Sequence, residues 1–310
     1  MTSNLLDLIT RVDNVPLDFQ QNFHPYYRLF VHPDPHPHGY IHPKTIESLT
    51  WPPTFTISHP DRTVTLTVSP STPEAINASF QEVIDFALAS PLFPSLTIHS
   101  EPFLIPGLSH FPDSLVHIER FASSLFGIAT RGSHLTAYLP ATPASPLRIW
   151  VARRSRHLVA HPSLLDSSVA GGVKATDSPL DCILAESHEE ASLSREFVAR
   201  NVRAVGAVTL ANINPRTELF HAEILYVYDL EMPPDVVPVP EDDEVEEFVL
   251  MDFDEVMGHM LKGEFKPNVC GIMIDFLIRH GIITPENEPD YVDICSRLHR
   301  VLPMPTKPPS

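Results

Sequence analysis

Three glutamates, Glu186, Glu189 and Glu190, are separated by three and four residues in the stretch Ala185-Glu-Ser-His-Glu-Glu190. On a helix these spacings set side chains next to one another. Adjacent carboxylates repel unless a cation sits among them, and a hard divalent ion with oxygen ligands is the natural partner. A metal held this way screens phosphate charge and activates a water, which is the chemistry that cutting a diphosphate requires. Gly171-Gly172 come just before, and glycine allows close backbone approach in unusual conformations.

The glutamates need a helix. Ser178 suits the N-cap, Pro179 the first helical position, and Asp181 closes an acidic variant of the capping box. Leu180, Ile183, Leu184 and Ala191 are expected to form one apolar face, with the acids on the neighbouring face at the rim of a sheet. Strands are expected at Tyr27–Val31, Phe55–Ile57, Val64–Val68, His134–Leu139, Arg148–Ala152, Val205–Ala211, Ala222–Leu230 and Glu247–Leu250. Helices are expected over Pro73–Ala89, Asn268–His280 and roughly Pro289–Val301. Residues 1–112 read as a smaller α/β domain, with Pro91–Asp113 as the boundary. Residues 113–302 read as the main domain with a helical C-terminal extension, and 303–310 as a disordered tail.

Composition narrows the partners. The net charge of −18 argues against nucleic acid or an anionic membrane, but a small anion bound through a cation is compatible with it. No run approaches the ~18 apolar residues of a membrane span. The first residues lack a secretory pattern. Cys182, Cys270 and Cys295 are odd in number and far apart, as expected for free thiols in a reducing compartment. The cytoplasm is the expected location. His32, His36, His38 and His42 alternate with prolines without the ligand spacing of structural zinc, so a surface loop is expected there. No sequence feature sets an oligomeric state.

The segment from Gly171 resembles the Nudix box, a glycine, five residues, a glutamate, seven residues and then REUxEExGU, where U is apolar. Asp177 stands at the first acid, and Glu186, Glu189 and Glu190 match the three helical glutamates. Ala185 stands where the box has Arg, and Ser192 where it has Gly. Further blocks include Ile149-Trp-Val-Ala-Arg-Arg-Ser155, Leu165-Asp166, Phe265-Lys-Pro-Asn268 and Ile274-Asp-Phe-Leu-Ile-Arg-His-Gly281. They are similar to a eukaryotic two-domain Nudix subfamily, related to the portion fused to thiamine pyrophosphokinase in some fungi.

The resemblance implies an α+β protein. Its Nudix fold would be an α/β/α sandwich with a mixed sheet, preceded by a smaller α/β domain that covers the mouth of the site. It implies magnesium, or manganese in its place, on Glu186, Glu189, Glu190 and the Ala170 or Gly171 carbonyl. Glu186, Glu190 and Glu244 are the catalytic candidates, with Glu186 or Glu244 accepting a proton from the attacking water. Trp150, Arg153 and Arg154 are candidates for holding the substrate, since Arg grips phosphate bidentately and Trp stacks on flat rings. One of two consecutive strand arginines must face away from the site. The implied substrate is a small-molecule diphosphate, thiamine diphosphate or its oxidised analogues, hydrolysed to the monophosphate. Leu158, Ser163 and Ser167 depart from the subfamily and leave room for another diphosphate, such as a prenyl diphosphate. Ala185 and Ser192 leave room for a non-catalytic binding module.

Overall fold

The computed structural model describes residues 4–90, 101–108 and 115–307. The chain begins with α1 (Leu5–Thr10), held at its start by an Asn4–Asp7 capping box. A small sheet follows: β1 (Tyr27–Val31), β2 (Gly39–Ile41), helix α2 (Pro43–Ser48), β3 (Phe55–Ser58) and β4 (Thr63–Leu66). Its order is β2-β1-β4-β3, with β1 and β4 parallel. Helix α3 (Pro73–Leu88) starts at Thr72, whose hydroxyl accepts the Ala75 N–H, and buries Ile76, Phe80, Val83 and Ile84 against this sheet. The short strands β5 (Pro102–Leu104) and β6 (His117–Glu119) pair antiparallel, and a turn of 3-10 helix leads into α4 (Ser123–Phe126).

The second sheet carries the site. Its strands are β7 (Thr130–Leu139), β8 (Arg148–Arg154), β9 (Leu165–Asp166), β10 (Val169–Gly172), β11 (Arg203–Ile213), β12 (Phe220–Glu231) and β13 (Val245–Asp252). Helices α5 (Pro179–Glu189) and α6 (Arg195–Asn201) follow β10, and α7 (Phe253–Lys262), α8 (Pro267–Arg279) and α9 (Tyr291–Leu298) follow β13. The strand order is β11-β12-β7-β8-β13, with β10 on β7 and β9 on β8; β12 and β7 are parallel, so the sheet is mixed. Alternate residues of β8 and β12 face opposite sides. Ile149, Val151 and Val227 pack on Ile272 and Phe276 of α8, while Tyr228 and Leu230 pack on Ile183 of α5 and Val198 of α6. The α+β sandwich expected from the sequence is thus present.

One topological detail positions the site. Strands β7 and β8 pair only at Tyr138–Ile149 and Leu139–Arg148. Beyond that point they diverge, β10 taking the free edge of β7 and β9 that of β8. The split brings β10, with its two glycines, in front of α5.

Three expectations change. Leu8 and Ile9 of α1 lie in the core of α8 and α9 rather than with the small sheet. The first residues therefore belong to the far end of the chain, because the apolar face of α8 needs a cover that the small sheet does not supply. The tail expected to be disordered from 303 is packed as far as Met304, which with Leu302 joins Phe19, Tyr40 and Phe220; residues 308–310 lie outside the described residues. The histidine loop is not all surface. His38 and His42 are buried, His38 beside Asp34 and the Pro106 carbonyl, and His42 accepting the Lys44 N–H at the cap of α2. Of the expected boundary, residues 91–100 and 109–114 also lie outside the described residues.

Candidate active site

Helix α5 forms as its cap residues dictate. The Ser178 hydroxyl accepts the Asp181 N–H at 3.1 Å, and Asp181 accepts the Ser178 N–H in return at 3.1 Å. Cys182, Ile183 and Ser187 are buried. Leu180, expected on the apolar face, is instead exposed, because it sits in the first turn, beyond the edge of the sheet. Glu186 is half-buried, Glu189 exposed and Glu190 buried at the C-cap.

The two glycines serve different neighbours. A Cβ on Gly171 would lie 2.2 Å from Glu186 Oε1 and 2.5 Å from its Cγ. Only a hydrogen at that position lets the Glu186 side chain lie on β10. A Cβ on Gly172 would instead stand 2.6 Å from the Phe103 ring of β5, so this glycine admits the small domain. The same contact is tied by the Ala175 N–H, which donates to the Pro102 carbonyl at 2.7 Å, and by Lys174, whose Nζ is 3.1 Å from Glu101.

Ala170 is the residue whose backbone faces the helix. Its N–H donates to Glu190 Oε2 at 3.1 Å. The Val173 N–H donates to Arg131 of β7, and in an antiparallel pair alternate residues share one side. Gly171, opposite Ser133, therefore turns its backbone to β7. Of the two candidate carbonyls, the Ala170 carbonyl is the one left to a ligand.

Charge accumulates at this point. Burial, and after it the Glu186 charge, pushes Glu190 well above the ordinary carboxylate range, against the Ala170 N–H. Burial also raises Glu186 to about 7, helped by Glu189, Glu244 and Glu101 and opposed by Lys174. Glu244 is exposed, yet its charge acts on both Glu186 and Glu190. Its loop is fastened beside α5: the Asp242 N–H donates to the Glu189 carbonyl at 3.2 Å, and Ser192 Oγ to Glu241 at 2.7 Å. The other wall is a buried Asp166. Burial is the largest influence on it and works upward, but Lys266, His134, Arg154 and the Ser167 N–H together hold its carboxyl below the usual range.

Among the described residues, no three His, Cys, Asp or Glu side chains form a closed metal cluster. A divalent cation nevertheless fits the donors present. They are carboxylates and a backbone carbonyl, all hard oxygens. After burial, the Glu189 and Glu244 charges raise Glu186 against Lys174, and the Glu186 charge raises Glu190; a metal would relieve that repulsion.

The proposed substrate side chains are placed differently from expectation. Arg153 donates to Glu247 at 2.7 Å and to the Ser163 carbonyl at 3.3 Å. Arg154 donates to Asp166 at 2.9 Å and to the carbonyls of Ala160 and His161. Trp150 packs against the α5-side core with its Nε1 buried and without a hydrogen-bond partner. Arg154 therefore reaches the site through Asp166, whose charge acts on Glu190, while Arg153 and Trp150 are engaged elsewhere. Three residues escaped the sequence reading. Asp166 and Lys266 carried a usable signal, since both lie in blocks similar to the subfamily. Glu101 carried none, because it lies 85 residues before Glu186.

Ser192, where the box has glycine, holds a left-handed φ of +53°. The turn survives without the residue that adopts it most easily.

The family model of the NUDIX domain matches residues 139–269. The chain is 34% identical to Nudix hydrolase 20, chloroplastic, of Arabidopsis thaliana over 269 residues, which is 84% of this chain and 70% of that protein. It is 38% identical over 200 residues to the uncharacterized protein YJR142W of Saccharomyces cerevisiae, covering 62% of this chain but only 58% of the yeast protein. Among solved structures, DR0079 from Deinococcus radiodurans aligns over 47% of this chain and 82% of its own, at 17% identity and a TM-score of 0.37. The chain belongs to the Nudix hydrolase family, whose members generally use divalent metal ions.

Proposed function

We propose that this protein is a metal-dependent hydrolase of an organic diphosphate, acting on thiamine diphosphate or its oxidised analogues and releasing the monophosphate and phosphate. The observation that carries the reading is the seat of Glu186 and Glu190 against β10. Both carboxyls are raised in pKa, and one is possible only because residue 171 has no side chain. The substrate class rests on the sequence blocks similar to the thiamine-related subfamily.

Glu186, Glu189, Glu190 and the Ala170 carbonyl would hold the cation, magnesium or manganese. When bound, it screens the diphosphate and acidifies a water. Glu190, fixed by the Ala170 N–H, keeps the helix end registered on the strand. Without the cation, burial raises Glu186 to about 7; lying against β10, it is the first choice to accept the proton of the attacking water. Glu244 is the second, reaching in from its exposed loop. Phe103 and Glu101 close one side of the site, which gives the small domain its role in shaping the pocket.

The test is a phosphate-release panel of thiamine diphosphate, its oxidised analogues and prenyl diphosphates, with wild type and Glu190→Gln. The expected result is turnover of the thiamine compounds and a loss of roughly two orders of magnitude in the variant, the scale of removing one electrostatic catalytic group. Turnover of prenyl diphosphates alone would transfer the substrate assignment. Calorimetric binding without any turnover would make the chain a binding module. The left-handed turn at Ser192 favours the enzyme, because the local geometry of the box persists despite the substitution.

A further inference from the structure

A cleft of about 710 Å³ opens away from the glutamates, between the end of β7, the start of β8 and helix α6. Leu139 on its wall is five residues along β7 from His134, the residue opposite Ala170. At ~3.3 Å per residue the separation is roughly 17 Å. The cleft is therefore distinct from the site described above, and its volume is typical of a small-molecule pocket.

Its charge is the reverse of the molecule's. The whole chain carries −18, but Arg148, Arg200 and Arg203 line this cleft and Glu231 is its single acidic lining residue. Arg200 is paired with Glu196 at 3.2 Å. Among the described residues, the guanidinium groups of Arg148 and Arg203 make no hydrogen bond or ion pair. The Arg148 Nε is buried as well as unpartnered. Asp252, which faces Arg148 across the strand pair, uses its carboxylate to accept the Glu255 N–H at 3.0 Å as the cap of α7. That Arg148 nitrogen is closed off from solvent, so an anion in the cleft meets the rest of the Arg148 side chain, which lines it. The remaining walls are mixed, with Phe197, Pro140, Met232 and Pro233 apolar and Thr142, Ser145 and Asn201 polar.

We propose that this cleft binds a small organic anion, specifically a phosphate monoester with an aromatic body. Arg148 and Arg203 take the phosphate, since a guanidinium offers paired donors at the spacing of phosphate oxygens. Phe197 and the prolines cover the ring. The proposal stands independently of the hydrolase reading.

The experiment is calorimetric titration of the full chain with phenyl phosphate and with inorganic phosphate, in EDTA. Without a cation the glutamate ridge repels phosphate, so the titration reports the cleft alone. The expected result is saturable binding of one phenyl phosphate per chain. Arg203→Gln and Arg148→Gln should each bind at least about tenfold more weakly, the share of one charge-assisted contact, while Glu190→Gln should bind as wild type does. Circular dichroism monitors the fold of each variant, and Arg203→Gln, at an exposed position, decides the matter should Arg148→Gln unfold. Absence of saturable binding overturns the proposal, as does undiminished binding by Arg203→Gln. Equal affinity for inorganic phosphate overturns the aromatic part of it.

Discussion

The Glu190 carboxylate accepts the Ala170 N–H at 3.1 Å, joining the end of α5 to strand β10. That bond, and the absence of a side chain one residue further on, set where the acidic ridge lies. The same geometry dictates what substitutions should do.

Gly171→Ala should spare the fold and spoil the chemistry. The added Cβ falls on the Glu186 side chain, 2.2 Å from Oε1. That side chain is flexible and can move away at little cost, but its carboxylate then leaves the ridge. Turnover should fall by roughly tenfold or more, as expected when a reacting group is displaced by about 1 Å. Thermal unfolding should move little. Unchanged kinetics would mean that Glu186 does not act from its place on β10.

Stability without metal should fall as pH rises through neutrality. The Glu186 carboxyl titrates at about 7 in the folded protein against an ordinary 4.5. A group raised in this way contributes stability that is fully present below its unfolded pKa and is lost as pH climbs through the folded value. Glu190 acts in the same sense. His134, lowered to about 4 by burial, works in the opposite sense only below its unfolded value of 6.5. Between pH 6.5 and about 8.5 the carboxyls therefore dominate. Melting in EDTA should occur at lower temperature at the upper end of this range. Magnesium should restore more there than at pH 6.5, and Glu186→Gln should flatten the slope.

Ser192→Gly tests whether the altered box is impaired. Serine at φ +53° carries left-handed strain worth about 1 kcal/mol, while its hydroxyl contact with Glu241 is exposed and weak. Denaturant titration should show the glycine variant equal or slightly more stable. A rise in activity of more than severalfold would identify Ser192 as the brake on this enzyme.

Tyr40→Phe probes the packed tail. The Tyr40 hydroxyl, fully buried, donates to the Pro303 carbonyl at 3.0 Å. Its loss leaves that carbonyl without this donor, at a cost of about 1–2 kcal/mol. In a chain of this size the melting temperature should drop by a few degrees. No change would show that the tail contributes nothing to the folded state.

The sequence exposed some of this directly and hid the rest for identifiable reasons. The cap of α5 is local chemistry: Ser178, Pro179 and Asp181 specify it within four residues, and the structure agrees. The strands expected at Tyr27–Val31 and Phe55–Ile57 and the helix expected over Pro73–Ala89 were likewise readable, and they form as β1, β3 and α3. Partners distant in sequence were not. Leu8 and Ile9 read as the start of the small domain, and only the third dimension shows them against α8. Arg153 and Arg154 have the residue type that grips phosphate, but the same type satisfies Glu247 and Asp166. Residue type alone does not distinguish these uses. Glu189 and Glu190, adjacent in sequence, differ in burial because consecutive helical residues point about 100° apart, and only Glu190 is turned onto β10.

The clasp formed by α1 over α8, and by Pro303 and Met304 over Tyr40, has a practical corollary. Scission near residue 112 would not liberate two autonomous fragments. The longer fragment would lose the Leu8 and Ile9 lid over its last helices, and the shorter would bare an aromatic floor built from Phe19, Tyr26 and Tyr40. Neither portion is a detachable cassette. Denaturation should run to completion in one concerted event, and engineering that transplants the catalytic half alone should bring both extremities of the polypeptide with it.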